Sequence, residues 1–245
     1  MNSLCPFTIV LCIFCLSITN CTPQMKPSNN PMLAHAPEEF YTGISLASAK
    51  AIRQKDAAKL KELLRSPDFN PGDRGLKDMP LVVWAASHGN IAAVRDLLAA
   101  KVPANDTFKV GQINYNLVAL ATGAEDPDFL SALLQAGGNP NGLPGTEAAL
   151  FTAIHGKRWD RLELLIQHGA KIDLPDEAGV TPVMELAYVR EYDQVLKLLK
   201  LGASPDHKSG IGMSLRSIMS KYPLDPASEK GQAQRRVLQY LEQRR

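Results

Sequence analysis

Four stretches of this chain can be laid over one another without a gap. They are "AASHGNIAAVRDLLAAKVPAN" (85–105), "ATGAEDPDFLSALLQAGGNPN" (121–141), "AIHGKRWDRLELLIQHGAKID" (153–173) and "LAYVREYDQVLKLLKLGASPD" (186–206). Each closes on an Asn or Asp, at Asn105, Asn141, Asp173 and Asp206, spaced 36, 32 and 33 residues apart. Before each lies a pair of aliphatic residues: Leu97-Leu98, Leu133-Leu134, Leu165-Ile166 and Leu198-Leu199. A period of this length means one supersecondary unit repeated, because no single unit can bury its apolar face without a neighbour.

The spacing within a unit reads as a helix, a tight turn, a second helix and a connecting loop. Gly137, Gly169 and Gly202 fall just after the second helix, where a left-handed residue ends it. Ala85, Ala121, Ala153 and Ala187 are small where the two helices must approach closely. Upstream, "LASAKAIRQKDAAKLKELLRSPDFNP" (46–71) reads as a degenerate first unit, with Leu63-Leu64 in the paired position. Downstream, residues 212–245 read as a closing helix pair. Its last helix carries Arg235, Arg236, Arg244 and Arg245, the polar outer face a terminal repeat requires.

The period, the leucine pairs and "GVTPVM" (179–184) together resemble the ankyrin repeat. Thr181-Pro182 keeps the opening dipeptide of the family motif, and Lys101 stands where the second unit should carry its glycine. The resemblance implies an all-α ankyrin-repeat solenoid of about five to six helix-turn-helix repeats over residues 43–245.

The four cysteines are Cys5, Cys12, Cys15 and Cys21, all ahead of this region. The repeats therefore contain neither a disulfide framework nor a cysteine zinc site. Residues 6–18, "PFTIVLCIFCLSI", form an apolar run of signal-peptide length, short for a membrane span. "ITNC" at 18–21 resembles the lipobox of a bacterial lipoprotein, although Asn20 is unusual there and no basic residue precedes the run. That resemblance implies a signal peptide over 1–21, acylation of Cys21 and a periplasmic protein held at the outer membrane. Residues 22–42, with Pro23, Pro27, Pro31 and Pro37, are then a flexible tether. Met25 and Met32 offer internal starts that would give a cytosolic form.

Catalytic signatures are missing from the sequence. It holds no nucleophile elbow, P-loop or dinucleotide fingerprint, and its five histidines make no ligand spacing. The carboxylates Asp173, Asp176 and Glu177 fit a polar loop better than an acid/base pair. The net charge of +2 does not suggest nucleic acid as a partner. The reading is a binding protein that is not an enzyme and takes no cofactor or metal.

Ankyrin arrays meet partners mainly through loops and exposed positions of the first helices. Carried over by register, those positions are Leu76, Lys77, Met79, Ser87 and His88, then Gln112, Ile113 and Tyr115. Glu147, His155, Glu177 and Tyr188 complete them. Met79, Ile113, Tyr115 and Tyr188 are expected to be the apolar anchors. The connection "DTFKVGQINYN" (106–116) is three residues longer than the norm of about 33 and reads as an extended finger.

The combination of lipobox, Pro-rich tether and repeats resembles the immunity proteins of type VI secretion lipase effectors. It implies a lipase effector toxin as the protein partner, in a heterodimer, with the membrane reached through the N-terminal lipid. Two other binding roles fit the same features: a periplasmic ankyrin protein supporting an antioxidant enzyme such as catalase, or a structural envelope scaffold.

Overall fold

In the computed structural model the described residues are 34–110, 113–143 and 145–244. The expected lipidation site, both internal starts and most of the expected tether lie outside them. The contacts divide the chain into two units, up to Leu164 and from Leu165.

The first unit contains helices α1 (Gly43–Gln54), α2 (Ala57–Leu64), α3 (Leu81–Ser87) and α4 (Ile91–Ala99). A hairpin of β1 (Thr107–Val110) and β2 (Ile113–Asn116) follows, then α5 (Leu117–Gly123), α6 (Pro127–Gln135) and α7 (Ala149–His155). Helix α8 (Trp159–Gln167) contains the point of division. Within a pair the helices turn on a capping side chain. Asp56 accepts from the Lys59 amide at 2.9 Å, Asn90 from Ala93 at 3.1 Å and Asp126 from Asp128 at 2.9 Å. Each relieves one of the orphan amides at the start of α2, α4 and α6. Packing then runs along the array, with α1 against α3, α2 against α4, α4 against α6 and α5 against α7. The leucine pairs are its core: Leu97 and Leu133 are fully buried, each worth about 1.5–3 kcal/mol of transfer free energy.

The second unit holds α9 (Pro182–Tyr188), α10 (Tyr192–Lys200), α11 (Leu215–Lys221) and α12 (Glu229–Glu242). Helix α10 packs on α9 and α12. Leu198 and Leu199 are buried, as are Val237 and Leu241 on the apolar stripe of α12. Arg235 and Arg236 of that last helix are exposed.

The left-handed positions expected after the second helices are present. Gly137 and Gly169 have φ of 87° and Gly202 of 104°, and Lys101 holds the same conformation at 69° despite its Cβ. The small-residue position needs one correction. Ala85 and Ala153 carry carbonyls that accept from Asn90 and Arg158 across the interhelix turn, but in α9 that role falls to Leu186, accepting from Glu191. Ala187 is one residue further on and is also buried.

Two features go beyond an all-α array in a flexible sleeve. The long connection forms an antiparallel ladder, pairing Thr107 with Asn116, Phe108 with Tyr115, Lys109 with Asn114 and Val110 with Ile113. Its β-branched and aromatic residues favour extended backbone over another helical turn. Residues 34–42, assigned on sequence to the tether, pack on α1 and on Trp84 of α3. Pro37–Glu39 make a 3-10 turn, and Phe40 and Tyr41 are buried against Trp84, with ring centroids 5.6 and 5.7 Å away. Burying two aromatic rings offsets the entropy of ordering the segment.

Candidate protein-binding face

In the first unit the loop before α3 is fixed before anything can dock on it. The Arg74 guanidinium pairs with the carboxylates of Asp78 and Asp106 and donates to the Thr107 carbonyl. That ties the loop to the base of β1, and the Asp78 hydrogen bond leads the causes that raise the Arg74 pKa. The Asn116 side chain anchors β2 in turn, donating to Thr146 Oγ1 at 2.8 Å and to the Glu147 carbonyl at 3.2 Å.

On this scaffold Leu76 is 62% exposed. The Lys77 ammonium lies 4.7 Å above the Phe40 ring and 3.7 Å from Glu39. Glu39 has its pKa lowered by accepting the Ala36 amide and then by His35. Met79 corrects the sequence reading: it is 6% exposed, a core residue beside Pro80 at the start of α3 and not an anchor in water. Ser87 donates to the Trp84 carbonyl at 2.8 Å, so its hydroxyl is committed to the helix end. His88 stacks on Trp84 at 4.2 Å, half-buried, and burial pushes its pKa down. Ile113 and Tyr115 lie on β2, and Gln112 falls outside the described residues. Glu147 and His155 come together, both exposed, with 3.1 Å between Oε1 and Nδ1.

In the second unit Glu177 is exposed, and Tyr188 at the end of α9 is 39% exposed. Burial, then the neighbouring Tyr222 and Glu185, raise the pKa of Tyr188. Sequence reasoning missed four exposed apolar residues of this unit: Val189, Leu201, Tyr222 and Ile211. Tyr222 was within reach of the repeat arithmetic, since it stands 33 residues after Val189. Ile211, at 84% exposure, sits in the turn closed by the Gly212 amide on the Ser209 carbonyl.

What these side chains can do is bind. They present apolar and charged groups, with Ser87 and His88 held on the Trp84 carbonyl and Glu147 on His155. Among the described residues no group of three or more His, Cys, Asp or Glu side chains could hold a metal ion. No described helix is long and apolar enough to cross a membrane.

Solved structures with the same arrangement decide the architecture. The ankyrin repeat domain of Bcl-3 matches with a TM-score of 0.59 at 22% identity, over 71% of this chain and 80% of that one. This is an ankyrin-repeat fold. EF0377, an ankyrin repeat protein, matches at 0.57 and 20% identity, over 71% and 90%. A third match, at 0.57 and 20% identity over 78% and 97%, comes from the complex of the predatory endopeptidase Bd0816 of Bdellovibrio bacteriovorus with the immunity protein Bd3460. No protein-family model and no curated protein matches the sequence.

Proposed function

We propose that this ankyrin-repeat protein is an immunity protein that binds a secreted phospholipase toxin and blocks it at the periplasmic face of the membrane. One observation carries the reading: the chain adopts a fold also found in the complex of an endopeptidase with an immunity protein, over 97% of the matched chain. The lipobox-like "ITNC" and the resemblance to lipase immunity proteins supply the finer parts, the toxin class and the address.

Inhibition in this account is steric. The array covers the entrance of the lipase or holds its lid, and contributes no chemistry. An acyl chain on Cys21 would keep the inhibitor concentrated at the surface its target attacks, raising the effective concentration without any new contact. The partner pairs one to one with the chain.

A titration tests this. Purified chain is added to the phospholipase activity secreted by the native host. Activity should fall linearly to near zero at one equivalent. Activity unchanged at a large excess would reject the immunity reading.

A further inference from the structure

We infer that the exposed patch formed by Tyr188, Val189 and Tyr222, bordered by Arg190 and Lys221, is a docking site for a partner segment that carries an apolar side chain flanked by carboxylates. The inference deepens the protein-binding reading and rests on it.

All five residues belong to the second unit and to two successive interhelix turns. Tyr188 ends α9, and Val189 and Arg190 follow it; Lys221 ends α11, and Tyr222 is its C-cap. Tyr188, Val189 and Tyr222 are 39%, 39% and 47% exposed, where rings and branched chains are costly to leave in water. Helix α9 packs directly on α11, which brings the residues at their ends together, and Tyr188 is near enough to Tyr222 and Lys221 for its ionisation to be coupled to theirs. The patch is held in shape from below. Gln234 of α12, itself buried, donates to the Tyr222 carbonyl at 2.8 Å and accepts the Leu224 amide at 2.8 Å.

The charge around the patch selects its occupant. Lys221 sits 5.5 Å from the Tyr222 ring centroid and is exposed, as is Arg190, whose backbone is held left-handed at φ 61°. The nearby acids are committed. Glu185 and Glu191 are half-buried and already interact within the chain, and Asp225 accepts the Ala227 amide at 2.9 Å. Tyr188, Val189 and Tyr222 thus make an aromatic and aliphatic surface with two exposed cations at its edge, and Asp225, three residues beyond Tyr222, is the exposed acid nearest in sequence. A neutral apolar segment would leave those cations unanswered, and a basic one would be repelled.

The test uses the full chain and three synthetic peptides that share a central Leu-Phe pair, flanked by Glu, by Lys or by Ser. Fluorescence anisotropy reads the binding at low and at physiological salt. The Glu-flanked peptide should bind about ten-fold more tightly than the Lys-flanked one, with a preference that weakens as salt rises. Tyr222→Ala should weaken it about ten-fold, as loss of an interface aromatic does. The double reversal Arg190→Glu with Lys221→Glu should invert the preference, and because these side chains are exposed the thermal unfolding of the variants should match that of the parent. Equal binding of all three peptides, no binding by any, or a preference untouched by the reversal would overturn the assignment. Phospholipase inhibition is measured separately, so such a result removes the patch and leaves the wider reading to its own test.

Discussion

The carboxamide of Asn105 accepts the backbone N–H of Asn139 at 2.6 Å and donates to the Gly137 carbonyl at 2.9 Å, stitching the end of one repeat to the next. In the second unit Asp173 accepts the Ser204 amide at 2.9 Å in the same manner. At Asn105 and Asp173 the closing residue of the repeat is thus an inter-repeat clasp. Asn105→Ala removes both bonds and should cost about 1–2 kcal/mol in urea unfolding. Asn105→Asp keeps the acceptor and loses the donor, so its cost should fall between parent and alanine. Equal stability of all three would mean that water replaces the clasp without loss.

His88 predicts a pH dependence. Its Nδ1 lies 2.9 Å from the Trp84 carbonyl and must carry the proton there, while Nε2 is buried without a partner. Burial, followed by the charge of Arg53, acts against the charged ring and lowers the pKa from 6.5. The unfolded chain then takes up a proton at higher pH than the folded one. Stability is complete above about 6.5 and declines as pH falls through that value toward the lower folded one. The melting temperature should drop between pH 7 and pH 5, and His88→Gln should flatten that drop. A flat profile in the parent would show that the ring is solvated when charged.

Lys101 sits in a left-handed position that the other repeats give to glycine. A Cβ there costs about 1–2 kcal/mol, part of which the greater freedom of unfolded glycine offsets. Lys101→Gly should therefore stabilise the chain by a few tenths of a kcal/mol up to about 1 kcal/mol in urea unfolding. Gly202→Ala should do the reverse. Destabilisation by Lys101→Gly would mean that the lysine side chain contributes more than its backbone costs.

The pattern of what could be read in the sequence follows from the physics of repeats. Leu97, Leu133 and Leu198 recur at a fixed spacing because stacking demands the same apolar slot in every unit, and the fold was legible there. Phe40 and Tyr41 were hidden because their burial depends on Trp84, more than forty residues on, while their own neighbours are polar and proline-rich. Met79 was misread because register places it in a loop, and only the packed structure shows that the chain before Pro80 turns inward. The Arg74 clamp joins residues 32 apart in sequence, about one repeat, but through a charged pair that the aligned positions of the other repeats do not carry. The surface was legible least, since exposure at Tyr222 or Ile211 is free of the constraint that makes a core repeat.

In the proposed function the lipid anchor is separable from binding. Cys21→Ser should abolish incorporation of an alkyne-tagged fatty acid and move the protein out of the membrane fraction. The soluble variant should still inhibit, because the folded repeats do not depend on the acyl chain. Labelling that persists in the Cys21→Ser variant would contradict the lipobox assignment.

The most direct measurement is affinity purification of the C-terminally tagged full chain from its native host, with quantitation of what accompanies it. The account predicts one dominant partner at a one-to-one ratio, a secreted phospholipase, in a complex stable to washing. A redox enzyme in that place, or a spread of envelope proteins with no dominant member, would contradict it.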